Sequence, residues 1–486
     1  LTQRLDESVL TDLPARIARP DYDRNKPAGI VHLGLGAFHR AHQAAYFDQL
    51  MRMGETGWMI RGVSLRSPTV ADQLNPQDGL YTIVEREGSE TSLRVIGSVR
   101  DVLVGPQDET AVIAALAHPD VALVTLTVTE KGYHLDPDTG RLRLEDEAIA
   151  RDLANPGHPR TVPGVLTAGL KARRDAGLVP FTVLSCDNLP DNGPRTREAV
   201  LGFARQLDAG LADWITAEAR FPASMVDRIV PATTPEDIAA LVSETGYHDA
   251  AMVKTEPFTQ WVVEDDFGAC RPPLERVGVQ MTDDVAAWER AKLRLLNGSH
   301  SALAYLGALA GHTYVHQAIA APGFERFVER LWDEAEAVLD PPSGFDARAY
   351  RDALKARYAN AALNHSLVQI AMDGSQKLPQ RLLAGLRQAR AKGLACDAIS
   401  LAVAAWMRWQ FGADERGTAY TVDDPLAATT RAAVDTGGGD PGAIVRALLA
   451  IEPVFGRDLP QDEKLVDQLT RQLAGLMREG AASAVQ

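Results

Sequence analysis

Short, continuous apolar runs, each followed by a helix-like segment, recur from Ile30 to Asn188, and they constrain this fold more than any other feature. Ile30-Val31-His32-Leu33 leads into Gly34-Leu35-Gly36, and the stretch from Phe38 to Met51 then has helical character. Met59 to Leu65 is a second strand candidate. Val121 to Val128 is a third, rich in β-branched residues and bounded by Asp120 and Glu130, and Phe181 to Ser185 is a fourth, ending at Cys186-Asp187-Asn188. Strands without polar alternation are covered on both faces, and helices between them make their sheet parallel. Beyond about residue 280 the pattern changes. From Asp284 to Gln486 the chain is rich in Ala, Leu and Arg with helical periodicity, broken at Leu339 to Gly344 and Thr436 to Gly442, both loop compositions. At 486 residues the chain is too long for one ordinary core. The sequence therefore predicts an α/β doubly wound domain over residues 1–283 and a mainly α-helical domain over 284–486.

A formal net charge of -15 disfavours nucleic acid and anionic membranes as partners, because both need a basic footprint. No apolar run reaches the ~18 residues of a membrane span. Leu1 to Arg24 is mixed in charge and predicts no secretory leader. Cys186, Cys270 and Cys396 are far apart, as in a reduced cytoplasmic protein without a disulfide frame or a cysteine zinc cluster.

Gly34-x-Gly36 after the first strand fits the start of a dinucleotide-binding turn of Rossmann type, in which glycines let the backbone approach a pyrophosphate. His39 stands where the third glycine of that fingerprint falls. A plain strand-to-helix turn is the simpler reading, and the strand-before, helix-after context favours the nucleotide. The second strand ends Ser64-Leu65-Arg66-Ser67-Pro68, without the acid that binds the ribose hydroxyl of NAD; Asp72 is the first acid after it. Arg66 and Ser67 can take a 2'-phosphate, Arg66 can stack on adenine, and a solvated arginine is equally compatible. NAD is the preferred cofactor, with NADP open.

Trp288 to His300 (WERAKLRLLNGSH) sits where the sheet-rich half meets the helical half, a favoured place for ligand clefts. On an ideal helix Glu289, Lys292, Asn297 and His300 fall within one arc of roughly 140°. Oxidising an alcohol requires a base for the hydroxyl proton and donors for the alkoxide-like oxygen. A desolvated lysine amine can be that base, asparagine N–H groups can hold the oxyanion, and histidine can bind a neighbouring hydroxyl. Glu289, one turn before Lys292, can pass protons to solvent. A solvated polar face is the competing reading, and two further residues weigh against it. Asn188 follows a strand, at the edge where open parallel sheets bind ligands. Asp227, in Ser224-Met225-Val226-Asp227-Arg228, interrupts an apolar run; a buried ion pair with Arg228 is its plainer explanation. His312-x3-His316 reads as a surface pair rather than a metal site, and Asp333, Glu334 and Glu336 as a solvated helix face.

Gly34-Leu35-Gly36-Ala37-Phe38-His39-Arg40-Ala41-His42, Thr129-Glu130-Lys131-Gly132-Tyr133, Cys186-Asp187-Asn188 and Lys292-x4-Asn297-x2-His300 together resemble the motifs of the mannitol dehydrogenase family, the polyol-specific long-chain dehydrogenases. The resemblance covers essentially the whole chain. It implies that Lys292 is the general acid/base, that Asn188 and Asn297 stabilise the oxyanion, and that His300 and Asp227 bind substrate hydroxyls. It also implies that Ala37, Phe38, His39, Arg40, Thr129 and Glu130 join Gly34, Gly36 and Arg66 in the cofactor site. The implied protein is a cytoplasmic, monomeric, metal-independent oxidoreductase acting on an open-chain sugar derivative. Gly62 to Pro68 and Gln369 to Arg381 look more like the fructuronate reductase (mannonate oxidoreductase) branch. On that reading the pair is D-mannonate/D-fructuronate, and Lys377 or Arg381 can bind the carboxylate. A neutral pair such as mannitol/fructose stays open, as does a nucleotide-binding sensor without turnover.

Overall fold

Parallel hydrogen bonding organises the N-terminal part of the computed structural model, which describes residues 3–268 and 270–486. The chain divides into two compact units, Leu1–Ala286 and Ala287–Gln486.

In the first unit, β1 (Ala28–Leu33), β2 (Met59–Ser64), β3 (Val99–Val104), β4 (Leu123–Leu126) and β5 (Thr182–Ser185) form one five-stranded sheet in the order β3-β2-β1-β4-β5. Every neighbouring pair is parallel. The chain reverses direction across the sheet between β1 and β4, the switch point at which doubly wound sheets open a crevice. Both faces are buried: Ile30, Ile60 and Leu123 pack into one core, and Val31, Val63 and Val124 into another. The apolar runs thus form the doubly wound sheet that their pattern predicts. That reading leaves out β3 and the strands outside this sheet. Tyr81–Glu87 and Glu90–Ile96 make an antiparallel hairpin around Gly88-Ser89, and Val253–Thr255 pairs parallel with its first strand. Further on, Ser224–Asp227, Gln260–Glu264 and Gln280–Thr282 form a separate three-stranded sheet.

The helix expected over Phe38 to Met51 is broken in two at His42, where φ is -115° and ψ is -89°. His42 Nε2 reaches the Gln260 carbonyl at 2.8 Å, a bond an unbroken helix would not direct there. The missing third glycine also has a structural account. In the usual fingerprint that glycine allows close helix–strand packing. Here the His39 ring lies flat on His32 of β1, with centroids 3.3 Å apart and planes 16° apart. Two imidazoles fill the space between turn and sheet.

His32 sits fully buried in a central strand, and leaving its nitrogens unbonded would cost about 1–3 kcal/mol each. Thr125 and Thr127, two residues apart on β4 and its continuation, share a face and satisfy both: Nδ1 is 2.7 Å from Thr125 Oγ1 and Nε2 is 2.9 Å from Thr127 Oγ1. Thr127 donates its single hydroxyl proton to the Gly34 carbonyl (2.8 Å), so it accepts from His32 Nε2–H. Nδ1 then accepts from Thr125, which fixes the tautomer from the network. The relay holds the carbonyl of the glycine turn from beneath.

The second unit is helical; among its described residues no pairing beyond isolated bridges occurs. Gly298–Leu309 is its central helix and all twelve residues are buried. Phe324–Glu336, Leu367–Ala371 and Asp397–Trp409 pack around it. Glu334 is not part of a solvated face. Its carboxylate accepts from the Ala398 and Ile399 amides, both at 2.9 Å, and caps Asp397–Trp409. No described helix is long and apolar enough to cross a membrane.

Burial lowers the His32 pKa to about 3, and lowers that of His39 as well, with His32 and Arg40 adding to the effect. Both rings titrate near 6.5 in the unfolded chain, so the unfolded state takes up protons first as pH falls. The stabilisation is complete above about pH 6.5 and is lost progressively towards pH 3. For His32 alone the loss at pH 5 is ~2 kcal/mol. The thermal midpoint is expected to fall between pH 7.5 and 5, with a smaller fall in His32→Gln; identical slopes in the two proteins would contradict this account.

Candidate active site

A crevice of about 480 Å³ opens at the carboxyl edge of the five-stranded sheet, within the range of small-molecule sites. Gly34, Gly36, Arg66 and Thr129 line it, and so do Ser64, Ser67, Arg151 and Arg160. No carboxylate lines it among the described residues. Gly34 and Gly36 are there for different reasons. Gly34 has φ +91°, and a Cβ there would sit 2.3 Å from the Thr127 carbonyl oxygen, so the fold itself demands glycine. Gly36 has an ordinary φ of -88°, and a Cβ would meet only the Gly34 oxygen at 3.8 Å. Nothing in the protein requires glycine at Gly36, and the bare backbone there leaves room for a ligand to approach closely. A bare backbone with guanidinium groups around it fits the phosphates of a dinucleotide.

The remaining residues expected at the cofactor site are placed differently. Ala37, Phe38, His39, Arg40 and Glu130 do not line this crevice. His39 and Arg40 turn inward and are buried. His39 lies on His32, and the Arg40 guanidinium lies over the Tyr81 ring, 6.0 Å from its centroid. Phe38 stacks on His42 at 5.1 Å, and Glu130, itself exposed, begins a 3-10 turn. Asn188 is exposed on the loop after β5. Asp227 is buried at the end of Ser224–Asp227, paired in register with Gln260. The neighbouring Arg228 guanidinium is taken by Glu85 at 2.5 Å and by the Ala41 and Glu256 carbonyls.

In the second unit, Lys292 is only 8% exposed and ends the helix Val285–Lys292. The following residues, Leu293–Asn297, are a π-turn, closed by the Gly298 amide on the Leu293 carbonyl five residues back. The uniform wheel assumed from sequence is therefore wrong in detail. A π-turn advances about 80° per residue instead of about 100°, so the arc holding Glu289, Lys292, Asn297 and His300 narrows from roughly 140° to roughly 70°. Donors from elsewhere serve the carbonyls of the turn: Trp332 Nε1 reaches Leu295 O at 3.0 Å, and Tyr358 Oη reaches Leu296 O at 3.1 Å. Ser299 Oγ also donates to Leu295 O.

A second π-turn, Pro379–Leu383, follows the short helix Gly374–Leu378 and carries Arg381. The two segments meet at Gly298, where a Cβ would lie 3.1 Å from the Arg381 carbonyl oxygen. Arg381 Nη1 donates to Ser301 Oγ at 3.1 Å. Among the described residues it has no carboxylate within ion-pair distance. Lys377 Nζ donates to the Met372 and Ile370 carbonyls and lies 4.0 Å from Asp373. Burial, then Arg381, lowers its pKa. His300 is 4.8 Å from the Tyr358 ring and 5.1 Å from His365. Burial lowers its pKa well below 6.5, followed by His365, Arg357 and Arg381, so at neutral pH it is an uncharged ring with one donor and one acceptor.

Residues 28–276 match the mannitol dehydrogenase Rossmann domain, and residues 284–477 match the mannitol dehydrogenase C-terminal domain. The chain belongs to the mannitol dehydrogenase family. It is an oxidoreductase of that family's polyol and sugar-acid class. D-mannonate oxidoreductase of Escherichia coli (strain K12) is 41% identical over 485 residues, covering 98% of this chain and 99% of the relative. Mannitol 2-dehydrogenase of Pyrenophora tritici-repentis (strain Pt-1C-BFP) is 42% identical over 494 residues, covering 100% and 86%. The solved ternary complex of Pseudomonas fluorescens mannitol 2-dehydrogenase with NAD and D-mannitol is 40% identical, covers 99% of each chain and has a TM-score of 0.83.

For this mannitol dehydrogenase family member, reading from sequence alone missed the His32 relay, Arg151, Arg160 and His365. Thr125 and Thr127 carry a signal, since alternate strand positions share a face with a polar residue of the neighbouring strand. Arg151 and Arg160 carry none, because only the fold brings them to the crevice. Gly36→Ala is expected to leave the thermal midpoint within about 2 °C of wild type and to weaken NADH binding about tenfold, read by fluorescence titration. Unchanged affinity would remove Gly36 from the ligand's path.

Proposed function

We propose that this oxidoreductase interconverts D-mannonate and D-fructuronate with NAD and without a metal. The carrying observation is Arg381: a partly buried guanidinium beside His300 and Lys377, with no carboxylate partner among the described residues. A desolvated guanidinium gains most from a planar carboxylate, which takes two parallel N–H bonds. A uronate or aldonate supplies that group and a neutral polyol does not. The 41% identity to D-mannonate oxidoreductase is compatible with this reading, and the 42% identity to mannitol 2-dehydrogenase leaves the choice to Arg381.

Gly34, Gly36, Arg66 and Thr129 would hold the dinucleotide. The Pseudomonas fluorescens relative's complex with NAD supports that choice. Bound NAD supplies the acceptor for the hydride of the carbinol carbon. Lys292 Nζ takes the hydroxyl proton during oxidation and returns it during reduction; its burial excludes competing water. The side-chain N–H groups of Asn188 and Asn297 hold the oxygen as it gains negative charge. His300, uncharged, and Asp227 orient neighbouring hydroxyls. Glu289, half-buried one turn before Lys292, passes the proton to solvent.

Initial rates of NADH and NADPH oxidation with fructuronate and with fructose test this reading. Fructuronate is expected to be preferred in kcat/KM by at least about 100-fold, and Arg381→Leu to cost about 100-fold with fructuronate but only a few-fold with fructose. Efficient fructose reduction untouched by Arg381→Leu would instead identify a neutral-polyol dehydrogenase.

A further inference from the structure

Asp187 stands beside the proposed site without a role in it, and its carboxylate is fully engaged. Oδ1 accepts from the Thr129 amide at 2.8 Å, and Oδ2 accepts from the Val128 amide at 3.1 Å and from Tyr133 Oη at 2.6 Å. Tyr133 is buried and spends its proton on Asp187, so at 2.5 Å it accepts from Ser185 Oγ, the last residue of β5. Asp187 is itself only 8% exposed.

The segment it holds is strained. Thr129 has φ +68° and ψ 162°, a region essentially restricted to glycine. The other described non-glycine residues with positive φ are Asp, Asn or His; Thr129 is the β-branched one. Val128 and Thr129 line the dinucleotide crevice just beyond β4. Strain of this kind persists only where the surroundings over-determine it, and here two adjacent amides converge on one buried carboxylate.

We propose that Asp187 is a positioning residue: its carboxylate clamps Val128–Thr129 in a conformation threonine would otherwise leave, and so sets the wall of the crevice against which the dinucleotide lies. The proposal rests on the nucleotide-binding reading above. The clamp also ties together the ends of β4 and β5, neighbouring strands of the sheet, so the Asn188 loop and the Thr129 loop move as one piece.

Asp187→Asn tests it with little change of volume. An amide can accept from one backbone N–H but turns its own N–H₂ towards the other. NADH binding, read by fluorescence, is expected to weaken about tenfold, and amide exchange at Val128 and Thr129 in the ligand-free protein to quicken about tenfold. Thr129→Gly removes the strain. In that background Asp187→Asn is expected to cost less than about threefold in NADH affinity, a non-additivity that a merely structural carboxylate would not show. Equal losses in both backgrounds, or unchanged exchange and affinity in Asp187→Asn, would overturn the proposal. If Asp187→Asn alone does not fold, the double variant is expected to fold, and its failure would count against the clamp. Amide exchange needs no nucleotide, so a wild-type protein that binds no NADH would defeat the functional reading while exchange still decides the clamp.

Discussion

The parallel register of the five-stranded sheet is the constraint on which the first unit depends. Leu33 lies opposite both Val63 and Leu126, and Leu126 lies opposite Ser185, so four strands end at one edge. The loops that leave that edge begin at Gly34, Leu65, Thr127 and Cys186. The crevice exists because two of these loops diverge at the switch point between β1 and β4. Polar groups near the middle of the sheet tune that edge. His32 and Thr127 fix the Gly34 carbonyl, while Asp187 fixes the Val128 and Thr129 amides.

The second unit achieves a comparable result with helices. A regular helix spreads Lys292, Asn297 and His300 over more than a third of its circumference. One π-turn gathers them, and Trp332, Tyr358 and Ser299 serve carbonyls within it. Gly298 lets the second π-turn approach, which brings the Arg381 backbone against the same segment. The two irregular turns pack on one another.

The parts visible in sequence were those with short-range signatures. Apolar runs identified four of the five parallel strands, Val99–Val104 being left unread, and helical periodicity after residue 280 identified the second unit. The Tyr81–Glu87 hairpin had a signature too, Gly88-Ser89 between β-type runs, but charged residues at its turn end disguise it. The π-turn was not legible, because its carbonyl donors Trp332 and Tyr358 come from distant positions in the chain. The helix-wheel argument grouped Lys292, Asn297 and His300 on a uniform α-helix, a geometry that the π-turn replaces. The family resemblance implies His39 and Arg40 at the crevice; the histidine stack beneath the turn draws His39 inward, a tertiary contact that no local pattern encodes. Thr129 could not be recognised as strained without its backbone angles.

The claim at the centre of this account is that the buried Lys292 amine moves the proton. Lys292→Ala, measured for alcohol oxidation with and without added methylamine, tests it most directly. The account predicts a loss of turnover of about 1,000-fold, unchanged NADH affinity, and partial recovery by the free amine, which can occupy the vacated space and act as base. Turnover near the wild-type rate in Lys292→Ala would contradict it.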